Sequence, residues 1–169
     1  MIDTAQPLTV PFTVLIDHRE KRPFRFAGLR ADAKQGRRPL TVPTRRVQLQ
    51  TGDYTVEGLE DRVAVERKSL EDLFGTLAQC RDRFERELIR LARCDFAAVV
   101  IEADWLTILA SPPERSELRP KSVFRSVLAW QQRHPTVHWW ACWNRAFAET
   151  VTFRLLERFW KESQKDAEI

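Results

Sequence analysis

Cysteine is scarce in this sequence, and its few copies are not spaced as metal sites or disulfide frameworks require. Cys80, Cys94 and Cys142 are odd in number and lie far apart, with no C-x-x-C or Cys/His pair among them. This pattern argues against a structural zinc site and against a small disulfide-stabilised domain. We expect reduced, mostly buried thiols, as in a cytosolic protein.

Long apolar runs are also missing, and so is the start of a secretory signal. The first residues, M-I-D-T-A-Q-P-L-T-V-P, contain neither a basic start nor an apolar stretch. No segment approaches the ~18 uninterrupted apolar residues of a membrane span. We therefore expect a soluble, cytoplasmic protein with no membrane partner.

What the sequence does contain is enough apolar material for one domain and a small excess of positive charge. Of its 169 residues 43% are hydrophobic, which supports one sizeable core. The formal net charge is +4, with a pI of about 9.2. Such an excess is compatible with a polyanionic partner, but ordinary solubility explains it equally well.

Strand and helix patterns alternate along the chain. Apolar or alternating runs predict strands at 13–17, 46–50, 54–56, 62–68, 96–102 and 136–140. Apolar stripes with helical spacing predict helices near 27–34, 69–93, 104–110, 120–133 and 144–163. We expect the strands between 46 and 68 to form a small antiparallel meander. The whole pattern favours an α/β fold, with helices on both faces of a mixed sheet.

Three of the predicted strands carry an acid at one end, namely Asp17, Asp53 and Glu66. Ligands of open α/β sheets collect at one edge of the strands, so these acids are expected to converge. Glu66 and Lys68 are two residues apart and share a face of their strand, whereas Arg67 points the other way. Carboxylates are the ligands that Mg²⁺ prefers, and a nearby lysine can act on a water or on the phosphate being attacked.

Each of these features also has an interpretation without chemistry. Many surface strands end in Glu and Lys, so an acid followed by E-x-K is weak support for catalysis. Ser69 followed by Asp72 resembles a helix capping box with Asp in place of Glu. For Asp72, a capping role and a catalytic role both remain open at this point.

Taken together, three segments resemble the nuclease domain of the XPF-type structure-specific endonucleases. That family is recognised by a strand ending D-x-R-E, then G-D, a variable stretch and E-R-K-x-x-x-D. The matching segments are V-L-I-D-H-R-E (14–20), G-D-Y (52–54) and V-E-R-K-S-L-E-D (65–72). The stretches Q-C-R-D-R-F (79–84) and V-V-I-E (99–102) also resemble the family. The motif core thus covers about 13–105, and we expect 106–169 to complete a single nuclease domain over 1–169.

The resemblance implies a restriction-endonuclease-like fold and Mg²⁺- or Mn²⁺-dependent cleavage of DNA at branched, flap or fork structures. It implies that the side chains of Asp17, Asp53 and Glu66, with the backbone carbonyl of Arg67, hold the metal. Lys68 would act on the water. The supporting positions implied by the motif are Arg19, Glu20 and Asp72, and Arg67 is counted among the candidate catalytic residues.

DNA contacts are expected from the basic segment 18–46 and from the following helix. The residues we assign to DNA binding are Lys21, Arg22, Arg37, Arg38 and Arg81. A solvated loop is the alternative for that segment. The tryptophans of the last third of the chain are expected in the core or in a dimer interface rather than on bases.

A non-catalytic DNA-binding or dimerisation partner of an active nuclease is the alternative function. Loss of the acids or of the lysine would mark such a partner, and here all four residues are present. A homodimer is left open, and a prokaryotic or viral origin is expected. The sequence does not predict the preferred DNA structure or the biological pathway.

Overall fold

The computed structural model describes residues 6–166, and it contains strands, α-helices and a short 3-10 helix at Ala33–Gln35. The strands are β1 Leu8–Thr9, β2 Val14–Asp17, β3 Leu40–Thr41, β4 Thr44–Val47, β5 Tyr54–Val56, β6 Val63–Lys68, β7 Phe96–Ile101 and β8 Val137–Ala141. The α-helices are α1 Leu70–Gln79, α2 Arg81–Leu91, α3 Trp105–Ala110, α4 Pro120–Arg133 and α5 Arg145–Asp166. No helix among these residues is both long and apolar enough to cross a bilayer.

Six of the strands form one mixed sheet in the order β4-β2-β5-β6-β7-β8, and β1 pairs with β3 separately. Strand β5 is antiparallel to both of its neighbours, while every other pair in the large sheet is parallel. The carboxyl ends of β2, β6 and β7 and the start of β5 therefore lie along the same edge. This edge, which we call the carboxyl edge, contains the acids predicted from the sequence: Asp17 and Glu66 near the ends of β2 and β6, and Asp53 just before β5.

Side-chain alternation along the central strands divides the core between the two faces of the sheet. In β6, Val63 and Val65 pack towards α5, whereas Ala64 packs towards α1, α2 and α4. Strands with helices on both faces have no solvent-facing side, which explains why β2 and β7 are continuous apolar runs. The predicted mixed sheet flanked by helices is confirmed.

The predicted helix over 69–93 is two helices that meet at Cys80. Cys80 has φ −126° and ψ 22°, outside the helical region, so the backbone turns there. The apolar stripe continues across the break, with Leu73 and Leu77 on α1 and Phe84 and Leu88 on α2 all buried. A pattern that both helices share could not reveal the break between them.

Two predictions for the basic segment are wrong. Instead of a helix near 27–34, the chain has Phe26 at φ 54° and Gly28 at φ 78°, and a left-handed backbone interrupts helical hydrogen bonding. In place of the strand predicted at 46–50, β4 covers Thr44–Val47; it pairs in parallel with β2 at the outer edge of the sheet and does not join an antiparallel meander.

The thiols and tryptophans only partly follow the expectation of burial. Cys94 and Cys142 are buried, whereas Cys80 is exposed, and all three are free thiols. Trp130 is fully buried and stacks with Trp139. Other tryptophans lie at the surface, including Trp140 and Trp143, which are 44% and 64% exposed.

The turn before β5 depends on a glycine. Gly52 has φ 70°, and a Cβ added there would lie 3.1 Å from the carbonyl oxygen of Val65 and 3.2 Å from the Cβ of Ala64. Gly58 has a similar φ of 82° but nothing within 4 Å of an added Cβ. Gly52 thus permits both a left-handed backbone and a close approach of β6 beside Asp53.

We predict that Gly52→Ala lowers the free energy of unfolding by about 2–3 kcal/mol, since it adds a steric clash to the left-handed strain. Gly58→Ala is the matched control and should cost about 1 kcal/mol from strain alone. Urea denaturation followed by circular dichroism measures both. Equal losses in the two variants would contradict a special role for the close contact at Gly52.

Candidate active site at the carboxyl edge

The acids and the lysine predicted as a site lie on one face of the sheet at the carboxyl edge. Asp17 is the last residue of β2, Asp53 directly precedes β5, and Glu66 and Lys68 end β6. The strand neighbours of the three acids, on the opposite face, pack into the core beside α5; they are Ile16, Tyr54 and Val65. Alternation therefore directs the acids and the lysine towards α1 and α2.

Glu66 and Lys68 form a close and largely buried ion pair. Lys68 Nζ lies 2.5 Å from Glu66 Oε1, and the two side chains are 14% and 11% exposed. The ammonium also lies 4.7 Å from the ring centre of Phe84, in a cation–π contact. Burial lowers the pKa of Lys68, but pairing with Glu66 outweighs it and raises the pKa above its ordinary value. The lysine is therefore held here as a cation.

Asp53 joins β5 to β6 through its main chain and its side chain. Its backbone N–H donates to Val65 O at 2.9 Å, and Asp53 Oδ2 accepts from the backbone N–H of Arg67 at 2.8 Å. Burial, and then the charge of Glu66, raise the pKa of Asp53 well above its ordinary range. Two largely buried carboxylates, those of Asp53 and Glu66, with one nearby lysine form a site that additional positive charge would stabilise.

Both carboxylate oxygens of Asp17 accept hydrogen bonds from other residues of the protein. Asp17 Oδ1 accepts from the backbone N–H and Nε of Arg19 at 2.7 and 2.8 Å. Asp17 Oδ2 accepts from Arg19 Nη2 and from the backbone N–H of Leu49, both at 2.9 Å. Burial raises the pKa of Asp17, but these bonds outweigh it and bring the pKa to about 2. The carboxylate thus joins the turn after β2 to the segment after β4.

The expected cluster of three acids around one ion is therefore not assembled. Within residues 6–166 no three Asp, Glu, His or Cys side chains form a group that could hold a metal. Asp17 is occupied by Arg19 and Leu49, which leaves Asp53 and Glu66 as the neighbouring carboxylates. The ligand role of Asp17 stays a prediction.

Arg67 points to the opposite face of the sheet and is buried between two acids. Its Nε and Nη2 donate to Glu102 at 2.7 and 3.2 Å, and its Nη1 lies 3.3 Å from Glu20 Oε2. Glu102 also accepts from Arg145 at the start of α5. This network links the segment after β2 to β6, β7 and α5. The supporting role predicted for Glu20 thus includes an ion pair with Arg67.

The remaining predicted residues lie around this site. Ser69 Oγ accepts from the backbone N–H of Asp72 at 3.1 Å, so Asp72 takes part in a helix cap through its backbone, while its side chain is exposed. Arg81 donates to Glu85 and to Ser126 and lies over the ring of Trp130. Both residues are on the helices that cover the site.

The residues of the basic segment 18–46 that are predicted to bind DNA divide into two groups. Lys21 and Arg22 are exposed directly after the carboxyl edge. Arg37 and Arg38 lie farther along the segment, after the 3-10 helix, where Arg38 Nε donates to Gln6 O at 2.8 Å. Lys21 and Arg22 therefore lie closer along the chain to Asp17 than Arg37 and Arg38 do.

The family model of the ERCC4 domain matches residues 16–153. The chain belongs to the ERCC4 domain family. Its sequence has no match among curated proteins.

The fold of this ERCC4 domain is shared with solved structures of XPF. XPF from Aeropyrum pernix superposes with a TM-score of 0.63 at 21% identity, covering 92% of this chain and 69% of that chain. XPF from Aeropyrum pernix in complex with DNA gives 0.58 at 22% identity, covering 92% of this chain and 66% of that chain. The predicted restriction-endonuclease-like fold and the predicted family are confirmed.

Three charged residues near the site of this ERCC4 domain were not predicted. Glu87 of α2 accepts from the backbone N–H of Gly52 at 2.9 Å, which fixes the turn that carries Asp53. Glu102 and Arg145 complete the network around Arg67. The acid that follows β7 was a visible signal for Glu102, whereas nothing in the local pattern marks Glu87 or Arg145.

We predict that Asp17→Asn lowers the free energy of unfolding by about 2–4 kcal/mol, because the new amide presents donors to Arg19 and Leu49. Asp61→Asn, at an exposed turn, should change it by less than about 0.5 kcal/mol. Urea denaturation measures both. Unchanged stability of Asp17→Asn, combined with a loss of Mn²⁺ binding, would instead make Asp17 a metal ligand.

Proposed function

We propose that this ERCC4 domain is a divalent-metal-dependent endodeoxyribonuclease that cleaves phosphodiester bonds at branched, flap or fork structures. The observation that carries the proposal is that the half-buried Asp53 and the buried Glu66 lie beside Lys68 at the carboxyl edge. Membership of the ERCC4 domain family and the fold shared with XPF support it.

The residues that fit a Mg²⁺ or Mn²⁺ ion are Asp53, Glu66 and the backbone of Arg67. The β5–β6 ladder ends at the pair Tyr54 and Val65, and beyond it the N–H of Arg67 donates to the side chain of Asp53. In a strand the N–H and C=O of one residue point to the same side, so the carbonyl of Arg67 faces the Asp53 side as well. Two carboxylates and a carbonyl are the hard oxygen donors that such ions prefer.

A bound ion would neutralise charge on the phosphate and favour ionisation of an attacking water. The protein's own contribution is to hold Lys68 as a cation next to Glu66, where it attracts and orients the phosphate. Phe84 and Glu66 restrict the ammonium to this position. The ion pair with Glu66 and the contact with Phe84 suit this electrostatic role.

DNA is the substrate that the surroundings of the site favour. Exposed basic residues follow β2, and the comparison includes an XPF structure in complex with DNA. The alternative, a non-catalytic partner of another nuclease, would retain DNA binding without cleavage. A role in DNA repair or recombination, a homodimer, a cytoplasmic location and a prokaryotic or viral origin stay predictions.

We predict that Lys68→Ala reduces cleavage by at least about 100-fold, since it removes the positive charge that faces the phosphate. Labelled flap, fork, four-way and duplex DNA with Mg²⁺ or Mn²⁺ provide the assay, and circular dichroism checks the fold. Lys165→Ala, at an exposed position near the end of α5, is the matched control and should retain full cleavage. Full activity of Lys68→Ala would overturn the proposed mechanism, and DNA binding without cleavage by the unmodified protein would favour the partner role.

We predict that Asp53→Asn weakens Mn²⁺ binding at least about tenfold, because one of the two buried carboxylates loses its charge. Isothermal titration calorimetry without DNA measures this affinity independently of activity. Asp61→Asn is the control, since its exposed side chain lies in the turn before β6, at the other end of that strand from Glu66. Equal affinity of Asp53→Asn and the unmodified protein would remove Asp53 from the metal site.

A further inference from the structure

A basic cleft of about 550 Å³ opens between the segment after β2 and the start of α5. Four of the residues that line it are basic, namely Lys21, Arg22, Arg25 and Arg145, against one acid, Glu149. The volume lies in the range of ligand-binding clefts in proteins. The excess of positive charge indicates an anionic ligand.

The backbone of this basic cleft is fixed by hydrogen bonds. Arg145 Nη2 donates to Arg22 O at 2.6 Å and to Pro23 O at 3.1 Å, and the backbone N–H of Phe24 donates to the hydroxyl of Tyr54 at 2.9 Å. Glu149 accepts from the backbone N–H of Phe26. The one acid of the cleft is thus engaged in holding the wall.

The cationic side chains, in contrast, are available to a ligand. Lys21, Arg22 and Arg25 are exposed, and within residues 6–166 none of them forms an ion pair or a side-chain hydrogen bond. Like charges gathered along one wall repel one another, and a bound polyanion relieves that repulsion. The cleft therefore presents unpaired cations on a fixed backbone.

The aromatic ring of the cleft is not available for stacking. Phe24 is only 2% exposed because its ring packs against Tyr54 and under the guanidinium of Arg145. A base cannot stack on a ring that is covered in this way, so the cleft offers charge rather than an aromatic platform. These features suit the phosphates of a nucleic-acid backbone, which are recognised without regard to sequence.

The basic cleft and the candidate active site lie on opposite faces of the sheet. Arg67 points towards the cleft side and shares Glu102 with Arg145, whereas its neighbours Glu66 and Lys68 point to the other face. One segment of DNA at Lys68 cannot also fill the cleft without passing around the carboxyl edge. The cleft is therefore suited to a second segment of the same substrate.

We propose that the basic cleft binds the phosphodiester backbone of a DNA arm other than the one that is cleaved. The proposal rests on the proposed function in taking DNA as the ligand. A branched substrate can supply both segments, one at the acids and one in the cleft, whereas a short linear duplex supplies one. The cleft thereby contributes to the preference for branched DNA.

The test compares two double variants that remove the same charge from the same face of the sheet. Arg22→Gln with Arg25→Gln removes cleft contacts. Arg158→Gln with Lys165→Gln removes two exposed charges about 20 and 30 Å from Arg145 along α5, at 1.5 Å per residue. Fluorescence anisotropy with EDTA measures the binding of labelled fork, single-stranded and duplex DNA at several salt concentrations.

The cleft variant should bind fork DNA at least about tenfold more weakly than the control variant. Its salt slope, log Kd against log salt, should fall by about 1.4 if the arm is single-stranded and by about 1.8 if it is duplex, because two phosphate contacts are lost. The single-stranded and duplex probes then identify which kind of arm the cleft binds. The control variant should retain the slope of the unmodified protein.

Equal affinities and slopes for the two double variants would overturn the proposal, since only long-range charge would then matter. Arg22→Lys with Arg25→Lys should restore binding, and thermal melting of every variant excludes loss of fold. The outcome is independent of cleavage. If Lys68→Ala remains active while the cleft variant loses binding, the proposed mechanism is wrong and the cleft proposal is supported. If Lys68→Ala loses activity while the cleft variant binds DNA as the control does, only the cleft proposal is wrong.

Discussion

The burial of the Arg67 guanidinium between Glu20 and Glu102 is the interaction on which the arrangement of this ERCC4 domain depends. Removing one partner of a buried ion pair typically costs about 3–5 kcal/mol, because the other charge is left uncompensated. Here the pairs join four parts of the chain: the segment after β2, the end of β6, the residue after β7 and the start of α5. Since Arg67 is fixed on one face, strand alternation places Glu66 and Lys68 on the other.

The carboxyl edge therefore separates two kinds of charge across one sheet. On the side of α1 and α2, Asp53 and Glu66 are buried with Lys68 and suit a cation. On the side of α5, the acids Glu102 and Glu149 are already engaged by Arg145 and by a backbone N–H, so exposed basic side chains dominate. A polyanion that reaches the acidic side needs a counter-ion there, whereas the basic side attracts it directly.

The sequence was informative where a property repeats along one element or belongs to a motif. Apolar runs ending in charge located β2, β6 and β7, and the pair of Glu66 and Lys68 followed from a spacing of two. It was not informative about contacts between residues distant in the chain. The ligand role of Asp17 stays a prediction, whereas the hydrogen bond that its carboxylate accepts from Leu49, 32 residues later, was not predicted.

The same dependence on residues distant in the chain explains the other differences between the predictions and the structure. Arg145 and Glu87 lie on helices whose patterns show only which face is buried, and their polar contacts arise when the helices pack against turns. The basic segment folds around Phe26 and Leu29, which enter the core from a stretch that contains the left-handed residues Phe26 and Gly28 rather than from a helix. The apolar residues of such a segment have no regular spacing, so periodicity in the sequence cannot predict its path.

The outer strand β4 has a consequence for self-association. Its exposed residues include Arg45, which pairs with Glu57, and Arg46, which donates to the carbonyl oxygens of His18 and Glu20. A free strand edge is a template for another chain's strand, and charged side chains on it oppose such pairing. Two copies meeting edge to edge at β4 would bring guanidinium groups together. Arg46, which braces the turn after β2, and Arg45 thus also protect the open end of the sheet from aggregation.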